Sequence, residues 1–211
     1  MGGASDHGGG PVTQTRRGSL TRHDIGLAAL AVVDGEGAEA LTVRRIAAKL
    51  GVQAPSLYSH VAGKDDILEL ITEIITADIP PLQLDPADWR AGLLDWASTY
   101  HAAFAKHPNA VGIIARRAVT IAESRQAYED VVAMLVGAGF APAAALRVVL
   151  GIDYVVLGSI LAPFSPAFDQ PLGDDYPALR TAIRATEPAE VDRTAFREAV
   201  RSYVAGLPEP S

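Results

Sequence analysis

The sequence has 211 residues, of which 49% are hydrophobic and 20% are charged. This is enough apolar material for a folded core, and it excludes a wholly disordered chain. There is no cysteine, which excludes disulfides, thiol nucleophiles and cysteine-ligated metal sites. No uncharged apolar run of about 18 residues occurs, and residues 1–17 lack the apolar stretch of a signal peptide. We therefore expect a cytoplasmic protein that makes no membrane contact.

Charge is distributed unevenly along the chain. The net charge is −7, yet residues 1–64 contain seven basic and five acidic side chains. This first part therefore has a net charge of +2, and the remaining residues have a net charge of −9. A mildly basic head on an acidic body is compatible with DNA binding by the head alone.

The chain is expected to begin with a disordered arm, residues 1–19, which is rich in glycine and has no apolar periodicity. Apolar residues then recur at helical spacing from Ile25 to Val32, and Thr21 is a suitable N-cap for this first helix. Gly37 and its neighbours end that helix, because glycine tolerates the left-handed geometry found at helix ends.

Three more helices are predicted in the first half of the chain, at about 43–50, 54–61 and 64–77. Thr42 caps the second helix and Gly51 ends it. Pro55 falls in the first turn of the third helix, where its missing N–H group costs nothing. A proline pair follows the fourth helix.

The second half is also predicted to be helical, with helices at about 88–106, 109–121, 124–138, 142–162 and 192–205. A loop-rich stretch, residues 163–187, separates the last two helices. No alternation typical of strands is present. We therefore predict an all-α fold, in which a three-helix head, residues 20–66, is joined to a larger helical-bundle body, residues 67–207.

The segment from Leu41 to Lys64 has the pattern of a helix-turn-helix. Its second helix has about eight residues, so its length of roughly 12 Å matches the width of the major groove. The positions left outside on this helix carry hydrogen-bonding or flat groups, which suit base edges and phosphates: Gln53, Ala54, Ser56, Tyr58, Ser59 and His60. The alternative is ordinary three-helix packing with a solvated polar face.

The sequence LTVRRIAAKLGVQAPSLYSHVAGKDDILELI resembles the DNA-binding domain of the tetracycline repressor (TetR) family. The shared features are a threonine that leads the second helix, an alanine at the helix contact, a Leu-Gly-Val turn and a Leu-Tyr-x-His-x-x-x-Lys run. In this chain they are Thr42, Ala47, Leu50, Gly51, Val52, Leu57, Tyr58, His60 and Lys64. A fainter similarity to the family's C-terminal domain follows, at Trp89, at the break around Pro108 and at the Gly-Ala-Gly-Phe-x-Pro run.

This resemblance implies a role for each matching position in the head. Thr42 caps its helix and contacts a phosphate, and Arg44 reaches a base or a phosphate. Base contacts are implied for the residues that open the recognition helix, Gln53, Ala54, Pro55 and Ser56. Phosphate contacts are implied for Tyr58, His60 and Lys64. Ser59 belongs to the same surface, although it and Ala54 depart from the family's namesake, which has larger or more polar side chains there.

The resemblance also implies that the body holds a small, mostly apolar ligand. Trp96, Tyr100 and Phe104 recur every four residues on one predicted helix, and such a stripe lines a pocket or, more often, forms part of a core. Further candidates for ligand contact are Ile114, Met134, Tyr154 and Leu157. The namesake's metal-binding histidine corresponds to Ile114 here, so we expect neither a metal nor another cofactor. Asp153, alone in an apolar helix, is either a buried hydrogen-bond partner or a pocket group.

Dimerisation is expected through the long helix at 142–162, which is apolar nearly all round and needs cover on more than one side. A second copy of the chain can supply that cover. The last helix is expected to complete a four-helix interface through Phe196, Val200, Tyr203 and Val204. The alternative is a central core helix in a monomer.

Taken together, these patterns predict a homodimeric transcription repressor that binds double-stranded operator DNA with pseudo-palindromic half-sites. A small apolar ligand that prefers the conformation with wrongly spaced recognition helices would release the DNA. An all-helical enzyme that binds a small molecule is the alternative, although no nucleophile–base pair or phosphate-binding loop is visible and no catalytic residue is assigned. A purely structural helical dimer is a third possibility.

Overall fold

The computed structural model describes residues 19–117, 119–163 and 175–210, so nearly all of the predicted arm lies outside the described residues. Within these ranges the chain forms ten α-helices and no strand, and the all-α prediction is confirmed. The helices are α1 (Arg22–Glu36), α2 (Val43–Leu50), α3 (Ala54–Leu57), α4 (Lys64–Ala77), α5 (Trp89–Phe104), α6 (Pro108–Ile114), α7 (Ala122–Gly137), α8 (Pro142–Leu161), α9 (Pro177–Arg184) and α10 (Pro188–Ala205).

The predicted caps of the first two helices are confirmed. The Thr21 hydroxyl accepts a hydrogen bond from the Asp24 amide, and the Asp24 carboxylate accepts one from the Thr21 amide, which forms a capping box. The Thr42 hydroxyl accepts a hydrogen bond from the Arg45 amide at 3.2 Å. Gly51 ends α2 with φ at +67°, a left-handed conformation that side chains disfavour.

The third helix is shorter than predicted. Its α-helical part ends at Leu57, and residues 58–60 continue the path as tighter turns. The Ser59 hydroxyl donates to the Ser56 carbonyl at 2.8 Å, while the His60 amide donates to the Leu57 carbonyl at 2.9 Å. The side chain of Ser59 thus occupies the carbonyl that a regular helix would offer to the amide of residue 60.

The head is built around α1, which packs against α2 and most extensively against α4. A Cβ atom placed on Gly26 would lie 2.6 Å from Ile74 Cδ1 and 3.1 Å from Leu70 Cβ, so the close approach of α1 and α4 leaves little room for a side chain there. α4 also packs against α5, α6 and α7 in the body. The predicted domain boundary at residue 66 falls inside the first turn of this continuous helix.

The body differs from the prediction at several helix ends. α6 ends at Ile114 rather than near residue 121, and α10 begins at Pro188 rather than near residue 192. α9 falls in the stretch that was expected to be a loop.

The prediction that the last helix offers its apolar residues to a partner subunit is wrong for most of them. Phe196, Val200 and Val204 are 5%, 3% and 2% exposed within the single chain, because α10 packs against α5 and α8. The Phe196 ring stacks on His101 of α5 at 3.9 Å between centroids. Tyr203 is half-buried and lies over Gly151 of α8.

The central helix of the body, α8, is the one described helix long and apolar enough to cross a membrane by length and composition. The core helix of a soluble protein passes the same test. α8 carries Arg147 and Asp153, and its buried side packs against α5, α6, α7 and α10.

Candidate DNA-binding surface and ligand cavity

The head leaves all ten predicted DNA-contact residues open to solvent to some degree. Ala54 and His60 are partly exposed, and the others are exposed: Thr42, Arg44, Gln53, Pro55, Ser56, Tyr58, Ser59 and Lys64. Tyr58 is an unusual case, because 61% of a large aromatic side chain faces solvent. Leu57 and Val61 lie between these exposed positions in the sequence. They are buried and anchor the exposed surface to the core of the head.

Two neighbouring arginines at the start of α2 have different partners. The Arg45 guanidinium pairs with the Glu36 carboxylate at 2.7 Å, which ties α2 to the end of α1. Arg44 forms no ion pair with another described side chain, so its charge is available to a partner molecule. The resemblance implies a DNA contact for Arg44 and none for Arg45, and the different partners of the two arginines agree with this.

A cluster that the sequence did not reveal fixes the turn between α3 and α4. Arg22 donates a hydrogen bond to the His60 carbonyl at 2.6 Å and pairs with the Asp66 carboxylate. Asp66 in turn accepts a hydrogen bond from the Ala62 amide at 3.0 Å, and the hydrogen bond from Arg22 lowers the pKa of Asp66. Arg22 lies 38 residues before His60, so no local pattern could pair them.

The body encloses a cavity of about 850 Å³ between α4, α5, α6, α7 and α8. Its lining includes six of the seven predicted ligand residues: Trp96, Tyr100, Phe104, Ile114, Tyr154 and Leu157. Trp96 and Phe104 are also almost fully buried, so the aromatic stripe is both core and cavity wall. Contact with a ligand stays a prediction for these residues.

Met134 is the exception, and its assignment to the cavity lining is wrong. It is buried, and its sulfur lies 2.6 Å from where a Cβ atom on Gly92 would be. Gly92 precedes Trp96 by one turn of α5. Since glycine has no side chain, Met134 packs against α5 there, one turn beyond the part of α7 that faces the cavity.

The aromatic rings of the cavity wall contact one another. Trp96 stacks on Tyr100 with ring centroids 5.7 Å apart, and Tyr100 meets Phe104 edge to face at 4.7 Å. Tyr128 of α7, which the sequence pattern did not identify, meets Trp96 edge to face at 6.2 Å. Burial raises the pKa of both tyrosines, which therefore stay protonated at neutral pH.

Asp153 fulfils both of the roles that the sequence left open. The Tyr128 hydroxyl donates to Asp153 Oδ2 at 2.7 Å, and Asp153 is among the residues that line the cavity. Its other oxygen, Oδ1, is buried and has no hydrogen-bond partner. Burial raises the pKa of this carboxyl to about 6, and the hydrogen bond from Tyr128 opposes that shift.

The cavity borders α4, which also belongs to the head. Leu68, Thr72 and Thr76 line the cavity at successive turns of α4. Ile67 and Ile71 on the same helix are buried in the core. The two threonines, which are spaced by four residues and so lie on one face of α4, are the signal that could have identified this face from the sequence.

Polar contacts join the body to the head at two further places. His107 Nδ1 lies 2.8 Å from the Asp34 carboxylate, and Asn109 donates to the carbonyls of Val33 and Asp34 at 3.3 Å, so the start of α6 covers the end of α1. Beyond α6, Arg117 pairs with Asp65 of α4, and the Thr120 hydroxyl donates to Glu69 of α4. The cavity wall is thus connected to both α1 and α4.

The described residues define a class of all-α protein with a helix-turn-helix head and a hollow helical body. The family model for bacterial regulatory proteins of the tetR family matches residues 26–71. The model for the tetracyclin repressor-like C-terminal domain matches residues 81–209, more than half of the chain. The chain therefore belongs to the TetR family.

Individual relatives agree with this assignment. An HTH-type transcriptional regulator of Saccharopolyspora erythraea is 30% identical over 68% of this chain, and the match spans 61% of that relative, less than two thirds of its length. The class A tetracycline repressor protein from transposon 1721 of Escherichia coli is 29% identical, over 85% of this chain and 87% of its own. A crystal structure of a TetR variant from Acinetobacter baumannii AYE with minocycline superposes with a TM-score of 0.71 at 25% identity, covering 89% of this chain and 92% of that chain.

Proposed function

We propose that the chain is a transcriptional repressor that binds operator DNA as a homodimer and leaves it when a small, largely apolar ligand occupies the cavity. The main support for this proposal is that α4 belongs to both the DNA-binding surface and the cavity. Its N-terminus carries Lys64, and its later turns line the cavity. The relatives named above are regulators and repressors, which supports this proposal, and a DNA-binding role implies that the chain acts in the cytoplasm.

In this proposal the surface of α2 and α3 enters the major groove of DNA. The residues that open α3 meet base edges, and the exposed groups around them meet phosphates: Thr42, Arg44, Tyr58, Ser59, His60 and Lys64. Support comes from the exposure of these side chains and from the net charge of +2 on residues 1–64, against −7 for the chain. Polar and aromatic groups of this kind position a helix on the duplex, whereas base contacts select the sequence.

The exposed side of α8 supports dimerisation. Leu146, Leu150, Tyr154 and Leu161 recur at helical spacing and are 50%, 37%, 72% and 49% exposed. Such a stripe on one helix marks an interaction site. Leu150 and Tyr154 also line the cavity, so a second subunit seated on this stripe would close the cavity as well as pair the two heads. Two heads then read two half-sites about one helical turn apart.

The proposal is tested by fluorescence anisotropy with the DNA upstream of the chain's own gene, against scrambled DNA of the same length. We expect specific binding that weakens as salt rises. Lys64→Ala should weaken binding to every sequence and reduce the slope of log affinity against log salt by about one unit. Lys106→Ala is the matched control, because Lys106 is an exposed lysine of the body that pairs with Asp78.

Two results would contradict the proposal. One is equal affinity for the upstream and scrambled DNA at every salt concentration. The other is a loss of salt dependence that is the same for Lys106→Ala as for Lys64→Ala, which would show that the charge of the whole chain matters and the head surface does not.

A further inference from the structure

The most unusual group in the cavity is the Asp153 carboxylate. Asp153 is 4% exposed and is the one buried charged or polar residue in the described core. Only one of its oxygens is satisfied, by the Tyr128 hydroxyl, and Oδ1 has no partner. A buried carboxylate without a counter-charge is costly, and it is normally paired or neutralised. The described residues supply no cation for it, so the carboxylate is open to a counter-charge from a bound molecule.

The other charged side chains of the cavity lining are mostly negative, like Asp153. Besides Asp153 it contains three carboxylates and one basic side chain among the described residues: Glu69, Glu123, Asp130 and Arg117. Arg117 is already paired with Asp65. Neutral groups, Thr120 and Gln126, donate hydrogen bonds to two of the carboxylates, which leaves their charge in place. A cavity with this lining attracts cations and repels anions.

The aromatic wall also favours a cation. Four aromatic rings line the cavity, and each contacts the next in the order Tyr128, Trp96, Tyr100 and Phe104. The faces of such rings attract ammonium groups, more strongly where water is excluded. A carboxylate beside a group of aromatic rings therefore offers an ammonium both a charged acceptor and polarisable walls.

We propose that the cavity takes a lipophilic cation, a protonated amine on an aromatic or aliphatic frame, whose ammonium donates a hydrogen bond to Asp153. This inference rests on the proposed function, in that the cavity is the ligand site of the regulator, and it names the chemical class of that ligand. The frame fills the apolar part of the 850 Å³, and the ammonium supplies the counter-charge that the described residues do not give Asp153.

The test compares two fluorescent probes that share a frame, 1-pyrenemethylamine and 1-pyrenemethanol, in titrations of the full chain near neutral pH. The amine is protonated there and the alcohol is neutral. We expect the amine to bind at least about tenfold more tightly, the difference typical of a hydrogen bond to a charged group. Equal binding of the two probes, or binding of neither at any soluble concentration, would overturn the proposal.

The Asp153→Asn variant tests whether Asp153 causes the preference for the amine probe. The amide keeps the shape and can still accept from Tyr128, so we expect the amine preference to fall to about twofold or less. Asp95→Asn is the matched control, since Asp95 is exposed on α5 and does not line the cavity; it should keep the full preference. A preference that survives in Asp153→Asn would refute the assignment. If this variant does not fold, as judged by circular dichroism, the comparison of probes on the unaltered chain still decides.

The titration uses no DNA, so its outcome is separate from that of the operator experiment. A chain that prefers the amine yet does not distinguish operator from scrambled DNA contradicts the proposed function alone. A chain that binds its operator but binds the amine no more tightly than the alcohol contradicts this inference alone.

Discussion

The raised pKa of Asp153 predicts one contribution to how stability depends on pH. Burial raises its pKa to about 6 in the folded chain, above the usual value for an aspartate of 3.8. An acid with a raised pKa binds more protons when folded than when unfolded. Its stabilising protonated form is therefore lost as pH rises from about 4 through about 6, and the ionised form destabilises the fold above that range.

Asp153→Asn should consequently be more stable than the unaltered chain at neutral pH, because the amide cannot ionise. A pKa difference of about 2 units corresponds to at most about 3 kcal/mol. Urea unfolding at about pH 7.5 and at about pH 4 measures the difference, which we expect to shrink at the lower pH. Tyr100 and Tyr128 stay protonated across this range and do not add to it. A stability difference that is the same at both pH values would contradict this explanation.

At the scale of elements, the sequence was most informative where structure is decided locally. Thr21, Thr42 and Gly51 end their helices as predicted, because a cap or a left-handed glycine acts within a few residues. The exposed face of α2 and α3 follows from apolar spacing in the same way. The end of α3 was missed because the amides of Tyr58 and His60 bond three residues back, while the Ser59 hydroxyl bonds the Ser56 carbonyl, and apolar spacing does not report this local change.

The cavity was predicted less completely, for a physical reason. Periodicity shows which side of a helix is apolar, but the depth of a residue in a bundle depends on neighbouring helices. Met134 lies on the side of α7 that faces the cavity, but it is one turn beyond the cavity. There it packs against Gly92 in the core. Tyr128 and the inner threonines of α4 come from elements distant in sequence, and only the assembled bundle brings them together.

The turn between α3 and α4 provides a prediction about the head. Asp66 joins Arg22 to the Ala62 amide, and both side chains are partly exposed. Asp66→Asn should therefore reduce the free energy of unfolding by no more than about 1 kcal/mol. Operator affinity should fall several-fold at the same time, because Tyr58 and His60 lose their fixed position.

Anisotropy titrations with operator DNA, together with urea unfolding, check this expectation. Glu36→Gln is the control, since it removes a comparable ion pair, with Arg45, at the far end of α2 from the turn. If Asp66→Asn loses stability but keeps full operator affinity, the turn has no positioning role.

At the scale of the whole molecule, the proposed dimerisation through the apolar stripe on α8 predicts a link between assembly and DNA binding. Leu146 is half-exposed and does not line the 850 Å³ cavity. Leu146→Glu places a charge in the proposed interface, and burying that charge against a second copy is unfavourable. We expect sedimentation to show one chain instead of two, with operator binding lost at concentrations that saturate the unaltered protein, because a single head contacts one half-site.

Leu27→Glu is the control for this substitution. Leu27 is a leucine of similar exposure, 45%, on α1 of the head. It should leave the sedimentation behaviour unchanged. A Leu146→Glu chain that still sediments as two copies would place the interface elsewhere on the body.

The continuity of α4 has a simple geometric consequence. Its 14 residues form a rod about 21 Å long, so a tilt of about 5° at the cavity displaces the Lys64 end by about 2 Å. Symmetry doubles that displacement between the two subunits of a dimer. The grooves of straight duplex DNA recur at a fixed interval, so under the proposed function a small molecule that tilts α4 by this amount would put both recognition helices out of step with them.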